Sequence, residues 1–121
     1  MSQIALHRAV PVLTVEDVPK SLEFYEQRLG FARVFELGPY AGLERQGIQI
    51  HLNGVPGPCD SRPTTCRIDV AGVDALFAEM DAQGVVKPDE RLEDKPFGMR
   101  QFSVLDPSGN RITFAQPLQG P

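Results

Sequence analysis

The sequence predicts an α+β fold made of two βαβββ repeats. Two β-branched, apolar segments, residues 8–15 and 65–70, are each followed by a helix-length stretch. Each stretch ends at a glycine, Gly30 in the first half and Gly84 in the second, and strand-like segments follow. The same order of elements twice in one chain indicates a duplicated supersecondary unit.

Apolar side chains recur with helical spacing in both helix-length stretches. In the first half they are Val18, Leu22, Tyr25 and Leu29. In the second half they are Val73, Leu76, Phe77 and Met80. Asp17 is placed to cap the first helix, because its carboxylate can accept an unpaired backbone N–H. Gly30 and Gly84 suit the left-handed conformation that often follows a helix.

Three candidate strands follow each helix. They span residues 31–37, 41–46 and 48–53 in the first half, and 85–86 (a weak strand), 100–106 and 111–116 in the second. Residues 46–47 and 107–110 have the composition of turns between antiparallel strands. We therefore expect one domain over residues 1–121, with repeat one at about 8–53, a Pro- and Gly-rich linker at 54–63 and repeat two at about 64–117.

Composition and charge argue against several classes of protein. The apolar fraction of 41% and charged fraction of 23% are typical of soluble globular domains. The net charge is −4 and the 12 basic residues are scattered, whereas nucleic-acid binding needs clustered cations. No apolar run near the N-terminus suits a signal peptide or membrane helix, so we expect a cytoplasmic protein with no membrane partner. Cys59 and Cys66 are expected to be reduced thiols without a special role.

Alternation along the strands separates an apolar face from a polar face in each half. Gln49 and His51 lie opposite the apolar set Ile48, Ile50 and Leu52. Arg67 and Asp69 lie opposite Cys66, Ile68 and Val70. Two curved half-sheets side by side would make a trough lined by the polar residues. Alternatively, these residues face bulk solvent, as in many antiparallel sheets, and the pattern alone leaves both possibilities open.

Two segments carry a resemblance to a known family. They are AVPVLTVEDVPKSLEFYEQRLGF (residues 9–31) and KPFGMRQFSVLDPSGNRITF (residues 95–114), and AGVDALFAEMDAQG (residues 71–84) fits the second helix. The chain resembles the glyoxalase/bleomycin-resistance/dioxygenase superfamily, also called vicinal oxygen chelate proteins. The resemblance implies a curved mixed sheet around a U-shaped cavity, with helices on the outer face and usually a homodimer.

Enzymes of this superfamily hold a divalent metal at four strand positions. In this sequence the matching positions include Val10, Thr65 and Thr113, none of which suits a metal, and among these positions only His51 is a conventional ligand. A lone imidazole holds a divalent ion only weakly, because a stable site needs three or four ligands. The resemblance thus implies a protein with no metal and no other cofactor.

Among members without a metal, the bleomycin-binding proteins resemble this chain most. The resemblance places Phe35 and Tyr40 at aromatic groove positions and Phe97 where the family has a tryptophan. Arg67 and Asp69 replace tryptophans, so a small anionic or polar aromatic ligand would also suit the trough. The function expected is non-catalytic binding and sequestration of a planar ligand, bleomycin-like or otherwise. The predicted ligand-binding residues are Phe35, Tyr40, His51, Arg67, Asp69, Phe97 and Thr113.

Each of these residues also has a structural interpretation. Phe35 could be a core residue, His51 a structural histidine, and Arg67 and Asp69 a mutual ion pair. One functional alternative is a lyase, isomerase or dioxygenase with a displaced metal site or with His51 as base. Another is a regulatory module with an unused trough. No catalytic residue is assigned, because the sequence has no visible nucleophile–base pair with an orienting third group.

Overall fold

Residues 3–55 and 64–118, which the computed structural model describes, form two four-stranded sheets and two helices. The first half contains β1 (Val12–Val15), α1 (Val18–Gln27), β2 (Ala32–Leu37), β3 (Tyr40–Arg45) and β4 (Ile48–Gly54). The second half contains β5 (Thr65–Asp69), α2 (Val73–Ala82), β6 (Glu93–Asp94), β7 (Met99–Leu105) and β8 (Arg111–Pro117). The predicted order βαβββ is confirmed in both halves.

The two sheets have the same topology. Their strand orders are β1-β4-β3-β2 and β5-β8-β7-β6. In each sheet the first and last strands of the half pair in parallel, and the other neighbours are antiparallel. The predicted mixed sheet is thus present as two separate sheets, one from each half.

Helix α1 begins and ends as its sequence predicts. The Asp17 carboxylate accepts the backbone N–H of Lys20 at 3.0 Å, and Gly30 has a φ of +77° just beyond the helix. The predicted apolar face is buried, with Tyr25 among its fully buried members. These contacts fix α1 against the apolar face of the first sheet.

Helix α2 begins differently. Gly72 precedes it in the left-handed conformation and has no side chain that could cap the helix. The side-chain oxygen of Gln116, on β8, instead accepts the N–H of Val73 at 2.9 Å. The helix is therefore anchored to its own sheet by a residue distant in sequence.

One hydrophobic core runs through both halves. It includes Tyr25 and Leu43 from the first half and Met80, Phe102 and Ile112 from the second. Buried side chains of both helices and of both sheets belong to this single cluster. The opposite face of each sheet is left turned outward.

Two strand predictions differ from the structure, and one strand was not predicted. The first strand begins at Val12 instead of residue 8, because Pro11 has no N–H to extend the ladder. Residues 85–86 are not a strand: Val86 makes only an isolated bridge to Val104, and Pro88 prevents a longer ladder. The fourth strand of the second sheet is β6 at 93–94.

Part of the predicted linker, residues 56–63, lies outside the described residues, and so does Cys59. Cys66 is described and is a free thiol. Neither helix in the described ranges is long and apolar enough to cross a membrane.

Candidate ligand-binding site

Strand register brings three predicted site residues together on the outward face of the first sheet. Phe35 on β2 lies opposite Gly42 on β3, which in turn lies opposite His51 on β4. Tyr40 is two residues from Gly42 and therefore shares its face. All three predicted side chains are half-buried, while the opposite face of these strands packs into the core. The alternative of Phe35 as a core residue is thus wrong.

The three rings form a compact aromatic cluster. The Phe35 and Tyr40 rings are stacked with centroids 6.0 Å apart, and the Phe35 and His51 rings meet edge to face at 5.1 Å. Gly42 makes this arrangement possible, because a Cβ at that position would lie 2.2 Å from Cε2 of Phe35. The Phe35 ring therefore lies directly over the sheet backbone and stays partly exposed.

A hydrogen-bonded chain runs along one side of this cluster. The Tyr40 hydroxyl lies 2.8 Å from Nδ1 of His51, and Nε2 of His51 lies 3.1 Å from Oε1 of Gln49. Since Gln49 Oε1 can only accept, His51 carries its proton on Nε2 when neutral, and Tyr40 donates to Nδ1. Gln49 thus orients the imidazole, a role that the sequence pattern did not indicate.

The outward face of the second sheet is charged. Nε of Arg67 lies 3.0 Å from Oδ1 of Asp69, and both side chains are exposed. The mutual ion pair considered for these two residues is therefore present. Each partner still has solvent-facing hydrogen-bonding capacity that a ligand could use.

Thr113 is less accessible than a ligand-lining role requires. Its side chain is 5% exposed, and its hydroxyl lies 2.8 Å from that of Ser103. This burial leaves little of the Thr113 side chain accessible, and its contact with a ligand stays a prediction. Segment 86–90 runs alongside the neighbouring strand β7, with hydrogen bonds from Lys87 N to Ser103 O and from Ser103 N to Glu90 O.

Glu90, and not Thr113, lines a groove at the second sheet. Both Glu90 carboxylate oxygens accept from one nitrogen of Arg111 at 3.0 Å, and Lys87 lies 3.2 Å away. Burial alone would raise the pKa of Glu90, but hydrogen bonds from Ser103, Arg111 and Lys87 hold that pKa below its usual value. The sequence carried no signal for Glu90, since it lies in an irregular segment.

Phe97 is 66% exposed at the β6–β7 turn, where Gly98 has a φ of +88°. It lines a groove of about 460 Å³ together with Lys95, Glu90 and Arg111. The expectation that this ring is not a core residue is confirmed.

The structure does not bring all predicted site residues into one place. Phe35, Tyr40 and His51 lie on the first sheet, while Arg67, Asp69, Phe97 and Thr113 belong to the second. Within residues 3–55 and 64–118, no hydrogen bond, ion pair or ring contact joins the two sets. We call them the first-half face and the second-half face.

The described residues include no group of three or more His, Cys, Asp and Glu side chains that could hold a metal ion. Thr65 and Thr113 stand at two of the positions where the resemblance would place metal ligands, and neither side chain suits a metal. The side chains present do not fit the metal of the superfamily's enzymes.

Paired βαβββ modules, each with a parallel contact between its first and last strands, define the class of fold found in vicinal oxygen chelate proteins. The chain belongs to the Glyoxalase/Bleomycin resistance protein/Dioxygenase superfamily, whose family model matches residues 5–114.

Individual relatives agree with this assignment. The chain is 30% identical over 129 aligned positions to a bleomycin resistance protein of Geobacillus stearothermophilus, covering 93% of this chain and 98% of that protein. It is 32% identical to the bleomycin-binding protein of Streptomyces verticillus in complex with copper(II)-bleomycin, with a TM-score of 0.80 over 93% and 97% of the two chains. A bleomycin resistance determinant encoded on the transposon Tn5 shares the fold, with a TM-score of 0.81, 23% identity and coverage of 94% and 100%.

Proposed function

We propose that this protein binds a planar, aromatic small molecule, of the bleomycin kind or similar. It would protect the cell by sequestering that molecule, without a chemical reaction. The proposed contacts are made by Phe35, Tyr40, His51, Arg67, Asp69 and Phe97. We further propose a cytoplasmic protein whose partner is a small molecule and not nucleic acid, consistent with its net charge of −4.

The observation that carries this proposal is the aromatic cluster on the first-half face. Three partly exposed rings on an outward sheet face provide a stacking surface for a flat ligand. Each such ring contact contributes about 0.5–1.5 kcal/mol beyond the burial of area. Relatives named for bleomycin resistance and bleomycin binding support the choice of ligand class.

The division of the site residues between two outward faces supports a homodimer. Neither face alone encloses a flat molecule. A second copy related by a two-fold axis would place its second-half face opposite the first-half face of this chain, and the reverse. Each dimer would then contain two troughs, each with stacking rings on one wall and Arg67, Asp69 and Phe97 on the other.

His51 is better placed for binding than for catalysis. A general base needs a free lone pair near the proton that it removes. Both nitrogens of His51 are already engaged, by Tyr40 and Gln49. The isomerase alternative would require the Tyr40 hydrogen bond to break first, whereas a binding role uses the ring as it stands.

Titration calorimetry with bleomycin, with and without copper, tests the proposal. We expect saturable binding at one ligand per protomer, and recovered bleomycin of unchanged mass. Phe35→Ala should weaken binding at least about tenfold, since a stacking ring and its buried area are lost. The control is Val34→Ala, which removes an exposed side chain of the same strand. A changed ligand mass would favour an enzyme, and no binding to bleomycin would reject this ligand class.

Mixing two binding-deficient variants tests whether each trough uses both chains. Phe35→Ala damages only the first-half face and Phe97→Ala only the second-half face. If troughs form between chains, a heterodimer of the two variants has one trough with both defects and one intact trough. Refolding them together should therefore restore wild-type affinity at about a quarter of all troughs, half of the dimers being mixed. Absence of recovery in verified heterodimers would place the site within one chain.

A further inference from the structure

We propose that protonation of His51 reverses the hydrogen-bonding polarity of Tyr40, so that the trough selects ligands of opposite charge at mildly acidic and at neutral pH. This inference rests on the proposed function, because it describes which ligand charge the first-half face would favour. It follows from the hydrogen-bonded chain through Tyr40, His51 and Gln49.

In the neutral state the hydrogens of this chain have a single arrangement. Gln49 Oε1 accepts from Nε2 of His51, which leaves Nδ1 unprotonated and able to accept only. Tyr40 must then direct its one hydroxyl hydrogen at Nδ1. A ligand therefore meets only the oxygen lone pairs of Tyr40, beside an uncharged imidazole.

Protonation changes the direction of one bond without moving any heavy atom. The imidazolium carries hydrogen on both nitrogens, so Nδ1 becomes a donor to the Tyr40 oxygen, and the bond to Gln49 persists. The Tyr40 hydroxyl hydrogen is released and can rotate toward the trough. The same face then offers a hydrogen-bond donor beside a positive charge, which favours an anionic ligand and opposes a cationic one.

Few other charges face His51. Across from it are Val12 on β1 and Gly42 on β3, neither of which titrates. The nearest carboxylate on the same face of β3 is that of Glu44, opposite Gln49, and β2 contributes the uncharged Phe35. In the proposed dimer the facing wall carries Arg67 already paired with Asp69. Imidazole is the side chain whose charge ordinarily changes between pH 5 and 8.

Nuclear magnetic resonance of the imidazole nitrogens tests the hydrogen arrangement without any ligand. At pH 8 we expect the Nε2–H tautomer of His51, with an unprotonated Nδ1, and at pH 5 both nitrogens protonated. The sequence holds only two histidines, so His7→Gln assigns the signals unambiguously. A dominant Nδ1–H tautomer at pH 8, or an imidazole that stays neutral at pH 5, would overturn the proposal.

Two ligands of fixed charge test the selectivity. Naphthalene-2-sulfonate and N,N,N-trimethyl-2-naphthylammonium share a ring system and keep their charges from pH 5 to 8, so only the protein titrates. From pH 8 to pH 5 we expect the sulfonate to bind about three- to tenfold more tightly and the affinity for the ammonium to fall by a similar factor. This is the size of effect expected from one added charge in a partly solvated site. A pH-independent ratio of the two dissociation constants would contradict the switch.

Matched variants separate charge from hydrogen-bond reversal. His51→Gln should flatten both profiles, while His7→Gln should leave them as in the wild type. Tyr40→Phe should keep the charge effect and lose the part that comes from the released hydroxyl, giving a smaller change for the sulfonate. If neither naphthalene ligand binds at any pH, the proposed binding function fails for this ligand class, whereas the tautomer measurement still decides the hydrogen arrangement.

Discussion

The phenol of Tyr25 donates a 2.9 Å hydrogen bond to the carboxylate of Asp106, joining α1 of the first half to the turn between β7 and β8 of the second. Both residues are buried. The other Asp106 oxygen accepts the backbone N–H groups of Ser108 and Asn110, at 2.9 and 2.8 Å. The Asn110 amide also donates to the carbonyl of Thr14 at 2.9 Å. We call these hydrogen bonds between the two halves the joint. This one carboxylate therefore orders its own turn and attaches it to the other half.

Removing either partner of this joint should destabilise the fold. Tyr25→Phe leaves a buried carboxylate short of one donor, which costs about 1.5–3 kcal/mol for a bond to a charged group. Asp106→Ala should cost more, because it leaves the Tyr25 hydroxyl and the turn N–H groups without their acceptor. Urea unfolding followed by circular dichroism measures both. Tyr40→Phe is the control: it removes a half-buried hydroxyl and should change the free energy of unfolding by less than Tyr25→Phe does.

Alkaline pH should weaken the same joint. Burial, and then the charge of Asp106, raise the pKa of Tyr25 well above its ordinary value of 10.0. The unfolded chain thus releases this proton at lower pH than the folded chain, so the stabilisation is fully present below pH 10 and falls as the pH rises further. Burial also raises the pKa of Cys66 to about 11 from 9.0, which adds a decline between those values.

Chemical unfolding at pH 8, 9, 10 and 11 measures this dependence. The wild type should lose free energy of unfolding steadily above pH 9. Tyr25→Phe, which retains Cys66, should lose less above pH 10, and Cys66→Ala should lose less between 9 and 11. Equal slopes for all three proteins would show that neither group is linked to unfolding.

Gly42 should control the position of the Phe35 ring. An alanine there would place Cβ 2.2 Å from Cε2 of Phe35, so the ring must rotate off the sheet. We expect Gly42→Ala to cost about 1–3 kcal/mol through overpacking and to weaken binding of a flat ligand. In a Phe35→Ala background the same substitution should cost much less. A double-mutant cycle on unfolding free energy measures this coupling, and additive effects would contradict it.

The fold was predictable from sequence because its signals are local. Asp17 and Gly30 mark the ends of α1 by cap chemistry, and strand alternation separates His51 from Ile50 and Leu52. The sequence also contains a local indication of the Phe35 position, because a glycine inside a strand, such as Gly42, often marks a close approach of another group. These features depend on residues near one another in the chain.

The site was less predictable because it depends on contacts between residues that are far apart in the chain. Thr113 has the parity of an outward residue, yet its side chain is buried and its hydroxyl contacts that of Ser103. Alternation assigns a face but does not report what lies above it. Glu90 illustrates the same limit: its contact with Arg111 joins residues 21 positions apart, through an irregular segment. Nor does alternation reveal that the first-half and second-half faces belong to separate sheets within one chain.

The cap that Gln116 provides to α2 should be measurable. Its side-chain oxygen accepts the Val73 N–H at 2.9 Å, and Gly72 offers no replacement. Gln116→Ala should therefore cost about 1 kcal/mol, the usual value of an N-terminal cap. Gln116→Glu keeps the acceptor and adds a negative charge at the positive end of the helix, so its stability should equal or exceed that of the wild type. Urea unfolding gives both values, and hydrogen exchange at the first turn of α2 should rise only in the alanine variant. Equal losses in both variants would show that Gln116 contributes through packing and not through its acceptor oxygen.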